Sequence, residues 1–211
     1  MTTGYLANCG WGADLQTALT SDFFTFFHLR VAQTTETPQR SVLTYRPESK
    51  QFRTRVAVTL TMDGSGRFHA ASLELDRSVI DDSMSDAQAR DIVKSFIANA
   101  LPQSDLEGAK DWVLDIMQRD SEMERLVRGA AGPEEFQKAI MAKLAAGQPV
   151  SVVGGGKGFE RRAEGPATEG FLVFSGQQKE CELALDQSRL RLANHDLDGK
   201  LTLQVSVAPS A

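Results

Sequence analysis

The middle of the chain, from Ser83 to Gly147, repeats apolar residues at the three- and four-residue spacing of one helix face. Three of the four runs open on a Ser followed three residues later by Gln or Glu, the order of a capping box, and the fourth opens on a Pro. Pro102 stops the first run, and glycines end the last two. The pattern predicts four consecutive helices, which begin at Ser85, Ser104, Ser121 and Pro133.

On the N-terminal side of this block the apolar period falls to two, the period of a strand with one solvated face. Residues 52–62 alternate in this way, and Asp63–Gly66 is typical of a turn. A four-residue loop there would pair Val56 with Leu73. A further strand is predicted at Ser41–Arg46. The same register gives two cross-strand pairs of opposite charge, Arg53–Asp76 and Arg55–Glu74.

The C-terminal third also alternates with a period of two and predicts an antiparallel meander. Its Asp198–Gly199 turn allows a two-residue or a four-residue loop, and both keep Leu190 and Leu192 on the face of Val205. The predicted strands are Val150–Val153, Phe171–Phe174, Glu180–Leu185, Arg189–Ala193 and Leu201–Val207.

The N-terminal region fits two patterns. Its apolar residues favour a helix from about residue 12 to 28, whereas Phe26–Val31 could equally begin a strand. Two polar connections, Gln33–Arg40 and Gly154–Gly170, are long enough to be mobile.

The separation of helical and strand-like stretches argues against alternating βαβ units. The predicted fold is α+β, with antiparallel sheet or sheets from the N-terminal hairpin and the C-terminal meander packed on a central block of about four helices. We predict a single domain over residues 1–211, with a possible subdivision into 1–82, 83–147 and 148–211. The spacing leaves open whether the strands form one sheet or two.

The composition of the chain limits the classes of partner that the protein is expected to bind. The 211 residues include 23 basic and 28 acidic side chains, a net charge of -5, and 15 of the acidic residues lie between positions 74 and 148. Most of that acidity therefore belongs to solvated helix surfaces. An acidic chain lacks the electrostatic footprint of a nucleic-acid-binding protein. The chain also has no apolar run of about 20 residues that would predict a membrane span.

The most suggestive local motif is the glycine-rich stretch that begins at Gly154. Successive glycine amides can surround an anion, and nearby cations could hold it there. It is not a Walker A loop, because Lys157 is followed by Gly158 instead of Ser or Thr. A flexible loop between strands is the competing explanation. The candidate ligand-binding residues are Gly155, Gly156, Lys157, Arg161 and Arg162.

Other constellations favour structural explanations. Asn194, Asp196 and Asp198 match the start of an EF-hand loop, but Val205 stands where the bidentate carboxylate belongs. The three histidines, His28, His69 and His195, show no metal-binding spacing, and we predict no metal site and no cofactor. In the predicted hairpin, His69 pairs with Leu60 on the inward face.

The two cysteines, Cys9 and Cys181, are expected to be free thiols instead of a disulfide. As written, the chain shows no export signal, so we predict a cytoplasmic protein. A cell-envelope or secreted location is the alternative if the chain is a processed form. One basic cluster has interleaved aromatic residues, and we interpret it as a solvated sheet face in preference to a nucleic-acid site. It consists of Arg40, Arg46, Lys50, Arg53 and Arg55, with Tyr45 and Phe52 between them.

The sequence contains no recognisable catalytic motif, and no catalytic residue is named. The favoured hypothesis is a non-catalytic ligand- or protein-binding globular domain, whose partner is a protein or a small anionic ligand. The alternative is a hydrolase or transferase that acts on a small anionic substrate through the Gly154–Arg162 loop. A chaperone-like or inhibitor-like protein is a third possibility.

Overall fold

The computed structural model describes residues 6, 8–11, 14–82, 85–117, 138, 141–142, 168–197 and 199–210. The chain divides into two compact units, Met1–Met117 together with Glu164–Ala211, and Gln118–Ala163. In the second unit the described residues are Lys138, Met141 and Ala142, all of them exposed.

Seven strands form one antiparallel sheet in the first unit. They are β1 (Leu29–Thr37), β2 (Arg40–Pro47), β3 (Val56–Asp63), β4 (Phe68–Asp76), β5 (Glu180–Ala184), β6 (Ser188–Leu197) and β7 (Lys200–Pro209). Their order across the sheet is β1-β2-β3-β4-β7-β6-β5. The N-terminal and C-terminal strand groups therefore meet where β4 pairs with β7. This confirms the α+β class and resolves the open choice in favour of one sheet.

Six helices of the first unit are described. They are α1 (Leu15–Leu19), α2 (Asp22–Phe26), α3 (Arg77–Asp81), α4 (Asp86–Ala100), α5 (Leu106–Met117) and α6 (Glu169–Phe174). Within the described ranges only α4 and α5 have seven or more residues, so the block of four helices is not seen there. These two are the first two predicted helices, and Pro102 ends the first as expected. The predicted helices that start at Ser121 and Pro133 lie outside the described residues.

The core lies between one face of the sheet and the helices. α4 contacts β4 and β7, and its buried side chains Phe96 and Ile97 join Leu73 and Val205 of the sheet in one apolar cluster. Burying each such side chain contributes about 1.5–3 kcal/mol. At the N-terminal end of this core, the Trp11 ring lies 5.7–6.1 Å from the rings of Phe23, Phe24, Phe68 and Phe96.

The predicted register of the first hairpin is wrong by two residues. Val56 pairs with Leu75 instead of Leu73, because the loop after Asp63 is shorter than expected and His69 is an extra residue in β4. The Asp63 carboxylate accepts hydrogen bonds from the backbone N–H groups of Ser65 and Arg67 and closes this loop. Because a shift of two preserves the faces of a strand, the apolar row still points inward.

The two charge pairs derived from that register are also wrong. Residues 51–55 form turns before β3 begins, so Arg53 is not part of a strand. Arg55 lies opposite Asp76, whose N–H donates to the Arg55 carbonyl over 2.8 Å. Glu74 pairs with Ala57 instead.

Two segments adopt a different structure from the predicted one. Phe171–Phe174 lies in α6 and is not a strand, since Thr168 caps it through a 3.3 Å hydrogen bond from the Phe171 N–H to its hydroxyl. The expected mobile connection Gln33–Arg40 instead contains most of β1, a two-residue turn and the start of β2. The other predicted connection is Gly154–Gly170, and its residues before 168 lie outside the described residues. The predicted strand Val150–Val153 also lies outside them.

The N-terminal helix is divided in two. α1 and α2 are separated at Thr20 and Ser21, whose hydroxyls donate to the carbonyls of Gln16 and Ala18. Such local hydrogen bonds compete with continued helix. Ser85 likewise lies at the start of α4, but its hydroxyl donates to the Val79 carbonyl and does not cap the helix.

The other predicted strands of the C-terminal meander are confirmed with small changes of length. Leu197 pairs with Lys200, so the two-residue loop is the correct alternative. Leu190 lies opposite Val207, and Leu192 lies opposite Val205, on the predicted buried face.

Candidate functional site

A cleft at one edge of the sheet brings together three arginines from separate segments. Its volume is about 240 Å³. Arg30 belongs to β1, Arg46 belongs to β2, and Arg53 lies in the turns that follow β2. We call this site the arginine cleft. Its described lining residues are Arg30, Val31, Ala32, Arg46, Pro47, Glu48 and Arg53.

Strand pairing and a tight turn explain this convergence. Arg30 and Arg46 occupy directly opposite positions in the β1–β2 ladder. After β2 the chain folds back, with the N–H of Arg53 donating to the Ser49 carbonyl over 2.8 Å. The guanidinium of Arg46 then donates through Nη1 to the Arg53 carbonyl over 3.2 Å. This contact fixes the Arg53 backbone at the mouth of the cleft.

The cleft carries an excess of positive charge. Arg30 Nε lies 2.7 Å from Oε1 of Glu48, and this hydrogen bond, together with the Arg30 charge, lowers the pKa of Glu48. Among the described residues that line the cleft, Glu48 is the one carboxylate beside three arginines. Like charges directly opposite on neighbouring strands cost about 0.2–1 kcal/mol. The pairing of Arg30 with Arg46 is therefore unfavourable for the strand ladder itself.

The backbone before β1 positions the single carboxylate. His28 has a φ of 48°, in the left-handed region that is uncommon for residues other than glycine. Its carbonyl accepts a hydrogen bond from the N–H of Glu48 over 3.1 Å. This contact holds the Glu48 backbone beside the start of β1, where its carboxylate pairs with Arg30.

This arrangement suits the recognition of an oxyanion. Guanidinium groups present planar sets of N–H donors that match the oxygens of carboxylate and phosphate. Typical pockets for drug-sized ligands measure about 300–1,000 Å³, and the cleft is smaller. A group of a few heavy atoms, such as a phosphate or an acidic side chain, therefore fits it better than a large cofactor.

The predicted basic cluster is only partly assembled here. Arg46 and Arg53 line the cleft, whereas Arg40 lies at the far end of β2, opposite Asp63. Tyr45, which we considered as a stacking residue, is 1% exposed and belongs to the core. Lys50 is exposed and Phe52 is half-buried. The cluster is thus not one continuous solvated face.

Sequence reasoning missed Arg30, because the segment that contains it was assigned to a helix end or a strand entry. Its position became informative only once β1 was known to pair with β2. The alternative strand entry at Phe26–Val31 was the one available signal.

The glycine-rich candidate site lies outside the described residues. Gly155, Gly156, Lys157, Arg161 and Arg162 therefore stay a prediction, as does the hydrolase or transferase alternative that depends on their loop.

Two of the three residues that resemble the start of an EF-hand loop, Asn194 and Asp196, have structural roles in β6, and Asp198 lies outside the described residues. The Asn194 side-chain amide donates to the carbonyls of Val173 and Gln178, and the Asp196 carboxylate accepts the N–H of Gly199 over 2.8 Å. Among the residues that the structure describes, no group of three or more His, Cys, Asp and Glu side chains is placed to hold a metal ion.

Cys9 and Cys181 are both buried, and they do not form a disulfide with each other. Burial raises the pKa of the Cys181 thiol to about 11. This thiol is therefore protonated and unreactive at neutral pH.

A second cleft, of about 210 Å³, lies between α4 and α5 and is mainly apolar. Its lining includes the apolar residues Ile97, Leu106 and Val113 and the basic residues Lys94 and Lys110. None of the described helices is both long enough and apolar enough to cross a membrane.

Comparison with protein-family models, curated proteins and solved structures finds no match for this chain. The function therefore has to be inferred from the chemistry of the clefts themselves.

Proposed function

We propose that this chain is a non-catalytic binding protein that holds an anionic group of its partner in the arginine cleft. The supporting observation is the convergence of Arg30, Arg46 and Arg53 on one small cleft whose described lining contains one carboxylate, that of Glu48. These groups supply electrostatic recognition and carry no nucleophile.

The unfavourable placement of Arg30 opposite Arg46 supports a binding role. A purely structural sheet edge gains nothing from two like charges in register. Glu48 neutralises Arg30, and a bound anion would neutralise Arg46 together with the nearby Arg53. Binding would then relieve a repulsion that exists in the free protein.

A simple oxyanion should bind weakly but measurably. A hydrogen bond to a charged group contributes about 1.5–3 kcal/mol, so two arginines together would give about 4 kcal/mol. That free energy corresponds to a Kd of about 1 mM for inorganic phosphate. The interaction should weaken as salt is raised, because the cleft is open to solvent.

The test is isothermal titration with inorganic phosphate at constant ionic strength. Arg46→Gln and Arg53→Gln should each weaken binding about tenfold, the equivalent of 1.4 kcal/mol. Arg189→Gln is the matched control, since this exposed arginine lies in β6, next to the opposite edge of the sheet.

Equal binding by the wild type and both cleft variants would refute the proposal. An equal loss in Arg189→Gln would also refute it, because binding would then reflect overall charge. Circular dichroism and a thermal melt of each variant check that the turn after β2 remains folded.

A further inference from the structure

The arginine cleft continues directly into an open edge of the sheet. β1 is the outermost strand on this side, and eight of its nine residues are exposed. In an edge strand every second residue directs its backbone N–H and C=O away from the sheet. Such a row can accept another strand by main-chain hydrogen bonding.

The register identifies which backbone groups are available. Thr37 and Arg40 flank a two-residue loop, so they form a hydrogen-bonded pair. The alternation then directs the N–H groups of Glu36 and Thr34 away from β2. A bulge between Val31 and Gln33 interrupts the ladder, so the regular edge is the segment from Gln33 to Thr37.

The opposite edge of the sheet differs. β5 has only five residues and contacts α6. Natural sheets protect their edges with short strands, charges and bulges. β1 is longer, and its bulge lies at the arginine cleft instead of at the middle of its regular segment.

The edge and the cleft are continuous in the chain. Arg30, Val31 and Ala32 are residues of β1 and also line the cleft. A strand added along the regular edge would therefore extend toward the cleft. We expect an acidic residue at the corresponding end of that strand to lie near Arg46 and Arg53, neither of which forms an ion pair among the described residues.

Exposed apolar side chains near this edge add a second feature for a peptide. Val31 is 58% exposed, and Phe26, which belongs to the neighbouring helix α2, is 74% exposed. Single-stranded nucleic acid needs a row of aromatic rings on which successive bases stack, and the exposed ring of Phe26 alone does not form such a row. The described lining of the cleft contains no aromatic residue, and Tyr45 is buried. The chemistry favours a peptide.

We propose that the partner is an acidic peptide in extended conformation, which adds to β1 as an eighth strand and places a carboxylate in the arginine cleft. This inference rests on the proposed function of the cleft. Main-chain hydrogen bonds with Thr34 and Glu36 supply affinity along the edge, and the arginines select an acidic residue at one end.

The experiment uses the full chain and a short blocked peptide of alternating threonine and valine followed by two glutamates, because a strand antiparallel to β1 has its C-terminal end at the cleft. Hydrogen exchange should slow about tenfold at the outward amides of Thr34 and Glu36 when the peptide binds. Arg46→Gln should weaken peptide binding about tenfold, as should replacement of the two glutamates by glutamine.

Two matched probes isolate the main-chain contribution. A peptide with the same charges but proline at alternate positions cannot donate to the edge and should bind at least tenfold more weakly. Thr34→Pro removes an outward N–H donor of the protein and leaves the hydrogen bonds to β2 in place. It should therefore weaken the binding of the peptide but not the binding of inorganic phosphate.

The results separate this inference from the proposed function. Phosphate binding at the cleft without protection of the β1 amides would overturn strand addition and leave the anion site intact. Equal binding of the proline peptide would overturn it in the same way. If single-stranded oligothymidylate bound more tightly than the peptide and its binding depended on the cleft arginines, the partner would be a nucleic acid and the peptide proposal would be overturned. Failure of both phosphate and peptide to depend on Arg46 would overturn both proposals.

Discussion

Asp105 is a buried carboxylate that joins two distant segments, and its removal should strongly destabilise the fold. It lies in a short 3-10 turn, Gln103–Asp105, immediately before α5, and is 2% exposed. Its carboxylate accepts the backbone N–H of Gln187 at 3.2 Å and the Ser188 hydroxyl at 2.6 Å. These contacts tie the start of α5 to the turn between β5 and β6.

Asp105→Ala should lower the free energy of unfolding by about 3 kcal/mol. It removes two hydrogen bonds to a charged group, each worth about 1.5–3 kcal/mol, and deprives the buried Ser188 hydroxyl of its acceptor. Because the surrounding structure relaxes in part around the missing carboxylate, the loss of stability should lie near the lower end of the summed hydrogen-bond contributions. For a chain of this length, the melting temperature should fall by about 6–12 °C.

Urea denaturation followed by tryptophan fluorescence measures this change. Trp11 and Trp112 are both buried, so their emission reports unfolding. The midpoint should fall with little change of the slope. Asp105→Asn keeps the shape and one acceptor oxygen, so its effect should be smaller than that of Asp105→Ala.

Glu107→Ala is the matched control, because this exposed carboxylate near the start of the same helix makes only a 3.3 Å surface pair with Lys110. Its effect should stay within about 0.5 kcal/mol. A double-mutant cycle of Asp105→Ala with Ser188→Ala should give a coupling of at least about 1 kcal/mol. A loss below about 1 kcal/mol in Asp105→Ala, or no coupling with Ser188, would refute this role.

Three other predictions follow from buried or hydrogen-bonded side chains. Tyr45→Phe should stabilise the fold by about 1 kcal/mol in urea denaturation, because the buried hydroxyl has no hydrogen-bond partner within the described part of the chain; a loss of stability would contradict this. Hydrogen bonds from the hydroxyl of Ser65 and the backbone of Arg67 lower the pKa of Asp63, so the stabilisation that this carboxylate gives is present above pH about 4 and lost at lower pH. The stability difference between the wild type and Asp63→Asn should therefore shrink as the pH falls from about 5 to 2. A difference that stays constant would contradict the stabilising role of the ionised Asp63 carboxylate. In a Cys9→Ala background, Cys181 should resist iodoacetamide at pH 8 until the protein is unfolded, and rapid labelling of the native protein would exclude a buried thiol whose pKa is about 11.

Much of the fold follows from local sequence signals. α4 ends before Pro102 as predicted, and the apolar alternation of β6 and β7 identified the buried face correctly. These signals act over a few residues and depend on burial of one face. They succeed where an element has one clear buried side.

The errors arise where burial gives no alternation. β1 is exposed on both faces apart from Leu29, so its sequence lacks the two-residue period of a half-buried strand. The apolar run Phe171–Phe174 is consistent with a strand or a buried helix, and the cap at Thr168 selects the helix. The register of the first hairpin depends on side-chain hydrogen bonds of Asp63 and on an extra residue, neither of which shows in apolar spacing.

The arginine cleft was only partly predictable for a related reason. Arg46 and Arg53 belong to the predicted basic cluster, but their partner Arg30 lies 16 positions before Arg46 and meets it only through the β1–β2 pairing. As long as β1 is not recognised as a strand, the sequence predicts only that the basic cluster is a solvated face of the sheet. With β1 in place, the same residues surround a cleft.

The most direct test of the arginine cleft is to follow the Nε–Hε signals of individual arginines by NMR during titration with inorganic phosphate. At constant ionic strength, the signals of Arg30, Arg46 and Arg53 should shift along one curve with half-saturation near about 1 mM, while that of Arg189 stays in place. The absence of shifts at the three cleft arginines, or similar shifts at every arginine, would contradict an anion-binding function for this site.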